Sequence, residues 1–413
     1  MKAVELGVVE AGQRTQPAFD LFLIFAGADI VATTLVTGAS LVPAFSTGAA
    51  LGLIAAGSVA GAALVAALAP VGPQLGVPSI VAARAALGRR GADLLALLLY
   101  LTNFAWIALN NVIAASACAV VAGGAAAVKP WAVALGLLAT VVVALGPRAV
   151  GWADRVAVPL MAAVAVLLTW RCLSLPPEVV HAAGSGGLGF LRGLDVVIGY
   201  QVSWLLMFAD YSRYTASARR GALAVFSALA LMSVWFMALG ALLARAAGSP
   251  DTGRMLAAAG VHASGALLLA LATVTTNFVN IYLSALAWKS LFPRASDSGS
   301  VWSIGLIGAA LGLLSARLLE GYADFMLFLG GLLVPAGGVF LARFFLRREP
   351  VDVAALYDDR GPYRGVAWRG VLAWALGAIV YHLAAPIGGT LPALATSVAA
   401  AWLGDRLPPR ARA

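Results

Sequence analysis

The sequence predicts an all-α protein that crosses a membrane many times. Its 413 residues are 62% hydrophobic and only 11% charged, and the mean hydropathy is +0.94. A soluble domain usually has about 25% charged residues, so this composition excludes one. A helix needs about 20 apolar residues to cross a bilayer, and candidate stretches predict twelve transmembrane helices. We number them span 1 to span 12, at roughly 18–44, 47–70, 94–122, 130–147, 153–172, 189–211, 221–246, 262–288, 300–318, 322–345, 366–385 and 390–404.

The basic residues predict the orientation of the chain. Loops on the same side as the N-terminus hold 21 of the 27 lysines and arginines, and the opposite side holds six. Cytoplasmic loops are enriched in Lys and Arg, so we expect both termini in the cytoplasm and the protein in the cell (inner or plasma) membrane. The net charge of +9 follows from this asymmetry. We therefore expect the loops to contact the lipid bilayer and expect no nucleic acid partner.

Motifs of processing and of enzyme chemistry are missing from the sequence. The first 17 residues lack an apolar core, which predicts no cleavable signal peptide. Cys118 and Cys172 both fall within spans and form no disulfide framework. The three histidines, His181, His262 and His382, are isolated from one another along the chain. We therefore predict that the protein is not an enzyme and has no cofactor other than a coupling ion.

Polar residues interrupt four spans, and these four are spaced regularly. Span 1 carries Asp29 at its centre, and span 6 carries the polar run Gly199–Ser203. Spans 3 and 8, also five spans apart, read TNFAWIALNN and TVTTNFVN. Interrupted spans at matching positions in two halves indicate an inverted repeat. The pattern predicts one transporter domain over 1–413, with repeats at 18–172 and 189–345 and two extra C-terminal helices at 366–404, as in the five-plus-five architecture of the leucine-transporter type.

Asp29 is the most costly residue to place in lipid. Because an intramembrane carboxylate needs a protected cavity and a partner, we expect Asp29 to face the interior at a break in span 1. One possible partner is a substrate that donates N–H groups, and another is a proton. A third alternative is that the carboxylate caps the second half of the broken helix. The sequence leaves these alternatives open.

Three residues of span 3 are suited to binding a planar ring. Asn103, Trp106 and Asn110 stand at i, i+3 and i+7 and therefore share one face of a helix. An indole can stack on a heterocycle, while the two amides can pair with its ring nitrogens and exocyclic groups. The alternative is a structural tryptophan, with asparagines that join neighbouring helices.

Several separated motifs are similar to those of the nucleobase–cation symporter family, which includes cytosine, purine, hydantoin and hydroxymethylpyrimidine permeases. Span 6 ends in ADYSRY, a motif that follows this helix in the family, and span 8 contains TTN-x-x-N-I-Y, which resembles the cytosine permease version. The resemblance implies that Trp106 stacks against the substrate and that Asn110 and Asn280 hydrogen-bond it.

Span 6 departs from the family pattern at one position. Gln201 stands nine residues before the motif aspartate, where family members often have a second stacking aromatic residue. Tyr200 or Trp204 then takes the stacking role, or Gln201 hydrogen-bonds the edge of the ligand. Ser203 and Trp204, just ahead of ADYSRY, resemble the branch associated with hydroxymethylpyrimidine uptake, so we count all four residues as candidate substrate contacts.

The resemblance also implies a sodium site. Ala272, Thr275 and Thr276 match a backbone carbonyl and two hydroxyls of the family's Na⁺ site. Gly27 and Ile30 of the broken span 1 would complete it with carbonyls, because unwound backbone coordinates Na⁺ in such folds. The alternative is that the threonines hydrogen-bond the carbonyls of their own helix.

We therefore predict a secondary active symporter that imports a pyrimidine-type nucleobase or a related heterocycle, such as cytosine or hydroxymethylpyrimidine, together with Na⁺. A proton-coupled purine or hydantoin permease is the alternative within the same class. A membrane sensor is the alternative outside it. The sequence leaves the oligomeric state open.

Overall fold

A helix lies at each of the twelve predicted spans. The computed structural model describes residues 6–122, 124–261, 263–292, 294–347 and 349–406, so the predicted cytoplasmic termini and His262 lie outside the described residues. In span order the helices are Ala18–Asp29 with Ala32–Ala39 (span 1), Thr47–Leu68, Arg84–Val121, Val128–Ala144, Pro147–Leu173, Phe190–Val202, Ala218–Ala247, Ala263–Leu291, Asp297–Leu311, Tyr322–Leu341, Trp368–Leu383 and Thr390–Arg406.

Not all twelve helices are equally apolar or equally long. Within the described ranges, eight single helices and the bent pair of span 1 are long and apolar enough to cross a membrane. In span 5 the described apolar stretch is Pro159–Leu173, and the half of the helix before it carries Arg155. Spans 11 and 12 form helices of 16 and 17 residues. The all-helical membrane fold agrees with the prediction, while the boundaries of the two repeats stay a prediction.

The spans pack in two groups. In the first group, spans 1 and 2 each contact spans 6 and 7, and spans 3, 4, 8 and 9 form the second group, in which spans 3 and 8 run along each other. Small residues permit the closest approaches within the first group. A Cβ atom on Gly38 of span 1 would overlap the carbonyl of Met237 in span 7, and one on Gly240 would overlap the carbonyl of Leu35. The second half of span 1 is therefore held tightly against span 7.

Span 1 is broken where the sequence predicts it. The helix ends with the bond from the Ile30 amide to the Ala26 carbonyl, and Val31 is extended, with φ −138° and ψ 162°. The second helix starts at Ala32, and the two halves are bent by 60°. Span 6 changes less: its α-helix continues at Ser203 as a tighter 3₁₀ turn that reaches Met207. Only span 1 is thus bent sharply among these two interrupted spans.

The N-terminal segment closes one end of the first group. Gln16 pairs with Thr215 beyond span 6, and the Arg213 guanidinium donates to the Gly7 carbonyl at 3.1 Å. The carboxylate of Asp210 accepts the backbone N–H of Ser79 at 3.3 Å. The ADYSRY motif therefore fixes the chain around the end of span 6, away from the polar centre of the membrane region.

Candidate substrate and ion site

Asp29 is fully buried at the break of span 1, between spans 6 and 7. Its Oδ2 accepts a hydrogen bond from the Ser233 hydroxyl of span 7, while its Oδ1 has no partner among the described residues. The Tyr200 and Trp204 side chains of span 6 lie near the same carboxylate. Neither carboxylate oxygen accepts a backbone N–H in the described chain, so the structure shows no capping by Asp29: its one partner is the Ser233 hydroxyl.

Hydroxyl groups connect the break to span 6. The Thr34 hydroxyl donates to the Asp29 backbone carbonyl at 2.5 Å, and the Tyr200 hydroxyl lies 2.6 Å from the same Thr34 oxygen. A threonine hydroxyl has only one hydrogen, so Tyr200 is the donor in this pair. The carbonyl that the break exposes is therefore satisfied within the first group of spans.

A second hydroxyl pair connects the break to span 10. The Tyr322 hydroxyl lies 2.7 Å from the Thr37 hydroxyl and 3.0 Å from the Thr33 carbonyl. Both threonines belong to the second half of span 1. Tyrosines from spans 6 and 10 thus hold this half-helix by their polar tips, while their rings stay in the apolar interior.

Trp106 of span 3 lies across from span 6. Its ring packs edge-to-face on Tyr200, with centroids 5.9 Å apart, and on Phe325 of span 10, 5.4 Å away. The indole itself is half-buried. Trp204 packs at 5.9 Å on Phe25, and its buried Nε1 has no partner in the described part of the chain. The structure therefore places Tyr200 and Trp204 beside Asp29, and Trp106 against Tyr200.

Asparagines form a continuous network between spans 3 and 8. Asn110 donates from Nδ2 to Asn277 Oδ1 at 3.1 Å, and Asn280 Nδ2 lies 3.4 Å from the same oxygen. Asn277 donates in turn to Asn111 Oδ1 at 2.7 Å. Within the described residues, Asn110 Oδ1 and the Nδ2 of buried Asn103 have no partner. The amides thus join two helices, as in the structural alternative, and still leave polar atoms free.

The structure does not bring Gln201 into this group. Its Nε2 donates to the Ser58 carbonyl of span 2 and to the Leu229 carbonyl of span 7, both at 3.3 Å. Its side chain is completely buried against Gly61 of span 2. Ser203 donates to the Tyr200 carbonyl at 2.6 Å, so its hydrogen is used within its own helix. Among the predicted contacts of span 6, Tyr200 and Trp204 are the ones placed toward Asp29.

The predicted ion ligands come from two spans that touch at the break. Ala272 of span 8 belongs to a small apolar cluster with Val31 and Met161, and Ile30 packs against this cluster. The Thr275 hydroxyl donates to the Ala272 carbonyl at 2.7 Å, as the structural alternative expects, and Thr276 is half-buried one residue later. The predicted ligands are neutral carbonyl and hydroxyl oxygens from spans 1 and 8, and such oxygens suit a monovalent cation.

Several residues of the polar centre were not predicted from the sequence. They are Thr34, Asn111, Ser233, Asn277 and Tyr322. Asn111 and Asn277 stand inside the two polar strings of spans 3 and 8, so their composition signalled them, but not their partners. Ser233 is a polar residue in the middle of apolar span 7, and this was the signal that could have found it.

Fold and site together define a membrane transporter with a broken helix beside a buried polar centre. The family model described as permease for cytosine/purines, uracil, thiamine, allantoin matches residues 8–403. The chain therefore belongs to this permease family, the nucleobase–cation symporters, and is a transporter and not an enzyme. The resemblance read from the motifs is confirmed.

Curated relatives agree with this assignment. A putative purine-cytosine permease of Bacillus subtilis (strain 168) is 26% identical over 88% of this chain and 84% of the relative. The cytosine permease of Escherichia coli (strain K12) is also 26% identical, over 76% of this chain and 73% of the relative.

Solved structures confirm the predicted fold class. Mhp1, a nucleobase-cation-symport-1 family transporter in a closed conformation with bromovinylhydantoin bound, matches with a TM-score of 0.81 at 20% identity, over 97% of this chain and 94% of Mhp1. Its inward-facing conformation gives a TM-score of 0.83 at 21% identity, over 96% and 91%. A Na⁺-coupled sialic acid symporter matches at 0.60 and 14% identity, over 99% and 93%.

Proposed function

We propose that this protein is a secondary active symporter that imports a pyrimidine-type nucleobase, or a related small heterocycle, together with Na⁺. The observation that carries the proposal is the packing of Trp106 on Tyr200, which itself lies beside the buried Asp29 carboxylate, whose Oδ1 has no partner in the described chain. A planar ring with N–H groups supplies both a stacking face and a donor for that oxygen. Cytosine and hydroxymethylpyrimidine both have this chemistry.

Na⁺ is the proposed coupling ion. The carbonyls of Gly27, Ile30 and Ala272 and the hydroxyls of Thr275 and Thr276 would hold it. The apolar cluster of Ala272, Val31 and Met161, against which Ile30 packs, supports this set, because it links span 8 to the break of span 1, where the Asp29 carboxylate also lies. An ion held there would stabilise one arrangement of the broken span, which is how binding of ion and ring becomes coupled.

A proton is the second candidate for the coupling ion, and a purine or hydantoin is the second candidate for the substrate. The burial of Asp29 beside the Ser233 hydroxyl favours the proton, since a carboxylate placed in this way can bind one. The same acceptor pattern serves the N–H edge of a hydantoin or a purine. We further propose import from the outside, with both termini cytoplasmic.

A binding screen tests the proposed function. The purified protein is heated with cytosine, hydroxymethylpyrimidine, uracil, hypoxanthine or hydantoin, each with and without Na⁺. A ring that binds the folded state raises the apparent Tm by mass action, and we expect a larger rise with Na⁺ present. Uptake into vesicles that follows a pH gradient and ignores Na⁺ identifies the proton instead. If none of the rings raises Tm, the proposal is wrong.

Trp106→Ala removes the stacking face of the site. We expect at least about 30-fold weaker binding of the best ring, corresponding to ~2 kcal/mol, as at other buried aromatic anchors. Trp106→Phe keeps part of the affinity. Phe325→Ala is the matched control, because it removes a ring that packs on Trp106 but leaves the indole in place, so we expect a smaller loss of affinity. Normal transport by Trp106→Ala contradicts the assignment of this tryptophan.

Thr275→Ala combined with Thr276→Ala removes the two hydroxyls of the proposed ion site. Ring binding at low Na⁺ should weaken by about tenfold and recover in part at high Na⁺, because linked sites affect each other reciprocally. Thr273→Ala is the control: its hydroxyl donates to the Leu269 carbonyl within the same helix. Isothermal titration at several Na⁺ concentrations measures the effect, and an equal loss at every Na⁺ concentration contradicts it.

A further inference from the structure

The donors and acceptors of the asparagine network between spans 3 and 8 can be assigned from the backbone carbonyls that it contacts. Asn277 Nδ2 lies 3.1 Å from the Ile107 carbonyl. A carbonyl oxygen only accepts hydrogen bonds, so the end of the Asn277 amide that faces it must be the NH₂ group. Asn111, which donates to the Gly308 carbonyl at 3.5 Å, presents its own oxygen to the same NH₂ group. Two backbone carbonyls therefore fix the Asn277 amide in the same sense.

The fixed amide determines how its neighbours are oriented. Because the NH₂ group of Asn277 faces the backbone, its Oδ1 faces Asn110 and must accept from it at 3.1 Å. The Asn110 amide is then oriented with NH₂ toward Asn277 and with its own oxygen on the far side. That oxygen is buried without a protein partner in the described residues, although Asn110 itself is only 1% exposed.

Asn277 has no capacity left for a ligand. Its two N–H donors are used by the Ile107 carbonyl and by Asn111, and its oxygen receives Asn110 at 3.1 Å and Asn280 at 3.4 Å. An amide oxygen has two lone pairs and an amide nitrogen two hydrogens, so the group is fully satisfied inside the protein. Any effect of Asn277 on ligand binding must therefore act through Asn110 and Asn280.

We propose that Asn277 is a positioning residue that holds the Asn110 amide with its oxygen toward the substrate, so that the site selects rings with an N–H donor at this edge. The inference rests on the proposed function. A ring that offers a carbonyl or a C–H there leaves a buried acceptor unpaired, and sites of this kind discriminate strongly against such analogues. Selectivity at this edge thus originates in the Ile107 carbonyl, which orients Asn277, and Asn277 in turn orients the contact residue Asn110.

Pairs of rings that differ by one donor test the inference. Cytosine is compared with 1-methylcytosine and 2-pyrimidinone, and hydantoin with succinimide and 3-methylhydantoin, each by thermal shift and isothermal titration. For a parent ring that binds, removing the N–H that faces Asn110 should weaken binding to the wild type about tenfold or more. In Asn277→Leu the Asn110 amide is free to turn over. In this variant, removing the N–H that faces Asn110 should weaken binding by less than about threefold. Removing the other N–H donor of the ring should weaken binding as much as it does in the wild type.

Asn111→Leu is the matched control. It also replaces a buried asparagine of the same helix interface by an isosteric apolar residue, but the Ile107 carbonyl still holds Asn277. We therefore expect a lower Tm and unchanged discrimination among the analogues. Discrimination that is unchanged in Asn277→Leu, or altered equally in both variants, overturns the inference while leaving the proposed function intact.

Asn110→Leu provides a second test should Asn277→Leu not fold. With the acceptor gone, removal of the N–H that faces it should no longer matter. If the removal of each N–H donor weakens binding to Asn110→Leu as much as it weakens binding to the wild type, no N–H of the ring pairs with the Asn110 oxygen, and the inference is wrong. Failure of both cytosine and hydantoin to bind the wild type overturns the inference, and failure of every ring in the binding screen overturns the proposed substrate class as well.

Discussion

The two interrupted spans carry a polar residue at the same place and use it differently. Span 1 reads Gly27-Ala28-Asp29-Ile30, and span 6 reads Gly199-Tyr200-Gln201-Val202. Asp29 accepts from the Ser233 hydroxyl of span 7 and keeps one oxygen free. Gln201 instead donates to backbone carbonyls of spans 2 and 7, and its Oε1 likewise has no partner in the described chain. An amide can donate hydrogen bonds to backbone carbonyls and an ionised carboxylate cannot. The residue at this position therefore links neighbouring helices in span 6, whereas in span 1 it is a candidate for binding the substrate.

The difference also explains the shapes of the two spans. Span 1 bends by 60° because its backbone leaves the helix at Ile30 and Val31, and hydroxyls from Thr34 and Tyr322 satisfy carbonyls near the break. Span 6 only tightens into a 3₁₀ turn, and its own Ser203 hydroxyl bonds the Tyr200 carbonyl. Span 1 thus has the unwound segment at which we propose that ion and substrate bind, whereas span 6 would contribute side chains.

Replacing the carboxylate of span 1 by an amide, the functional group that span 6 carries, gives the largest expected effect on this contrast. Asp29→Asn should weaken binding of N–H-donating rings by about tenfold to 150-fold, since a charged acceptor contributes roughly 1.5–3 kcal/mol. If Asp29 binds the coupling proton instead, the variant loses the pH dependence of uptake and retains affinity. Titration calorimetry and vesicle uptake between pH 5.5 and 8 separate the two outcomes. A variant with wild-type affinity, selectivity and pH response shows that Asp29 has no functional role.

Gln201→Leu is the counterpart in span 6. The substitution removes the two hydrogen bonds from the Gln201 amide to backbone carbonyls, each worth about 0.5–1.5 kcal/mol, so Tm should fall. Ring selectivity and Na⁺ dependence should match the wild type, because the structure places the side chain between spans 2 and 7. Selectivity that changes in Gln201→Leu as it does in Asp29→Asn removes the contrast between the two spans.

Gly38→Ala tests how tightly the broken span is held. The added methyl group would overlap the Met237 carbonyl of span 7, and relief requires the two backbones to separate. Overpacking of this kind costs about 1–3 kcal/mol, so we expect a clearly lower Tm and reduced uptake. Gly52→Ala in span 2 is the control, because its methyl group meets open space and helix propensity alone favours alanine. Equal Tm values for the two variants contradict the packing argument.

Tyr200→Phe has the smallest expected effect. It keeps the ring that packs on Trp106 and deletes the hydroxyl that donates to Thr34, which is worth about 1 kcal/mol. Tm should decrease slightly, while ring affinity changes by less than about tenfold. A thermal melt with and without cytosine measures both quantities. A loss as large as that of Trp106→Ala indicates that the hydroxyl contacts the substrate directly.

Much of this architecture could be predicted from local sequence. Twelve apolar stretches marked the twelve helices, and Asp29 marked the break of span 1, because hydrocarbon tolerates polar groups only where a cavity or a partner protects them. The i, i+3, i+7 spacing placed Asn103, Trp106 and Asn110 on one helical face. The ADYSRY and TTN-x-x-N motifs identified the family, and the comparisons confirmed it.

Only the tertiary structure decided what each polar residue faces. The sequence left Tyr200, Gln201 and Trp204 as equal candidates, and the neighbouring helices separated them: span 2 offers carbonyls to Gln201, and span 1 offers Thr34 to Tyr200. Likewise, the direction of the Asn110 amide depends on Asn277 and on a backbone carbonyl behind it. Hydropathy and motifs depend on each helix alone, whereas the orientation of a hydrogen-bonding group depends on the donors and acceptors that the fold places opposite it.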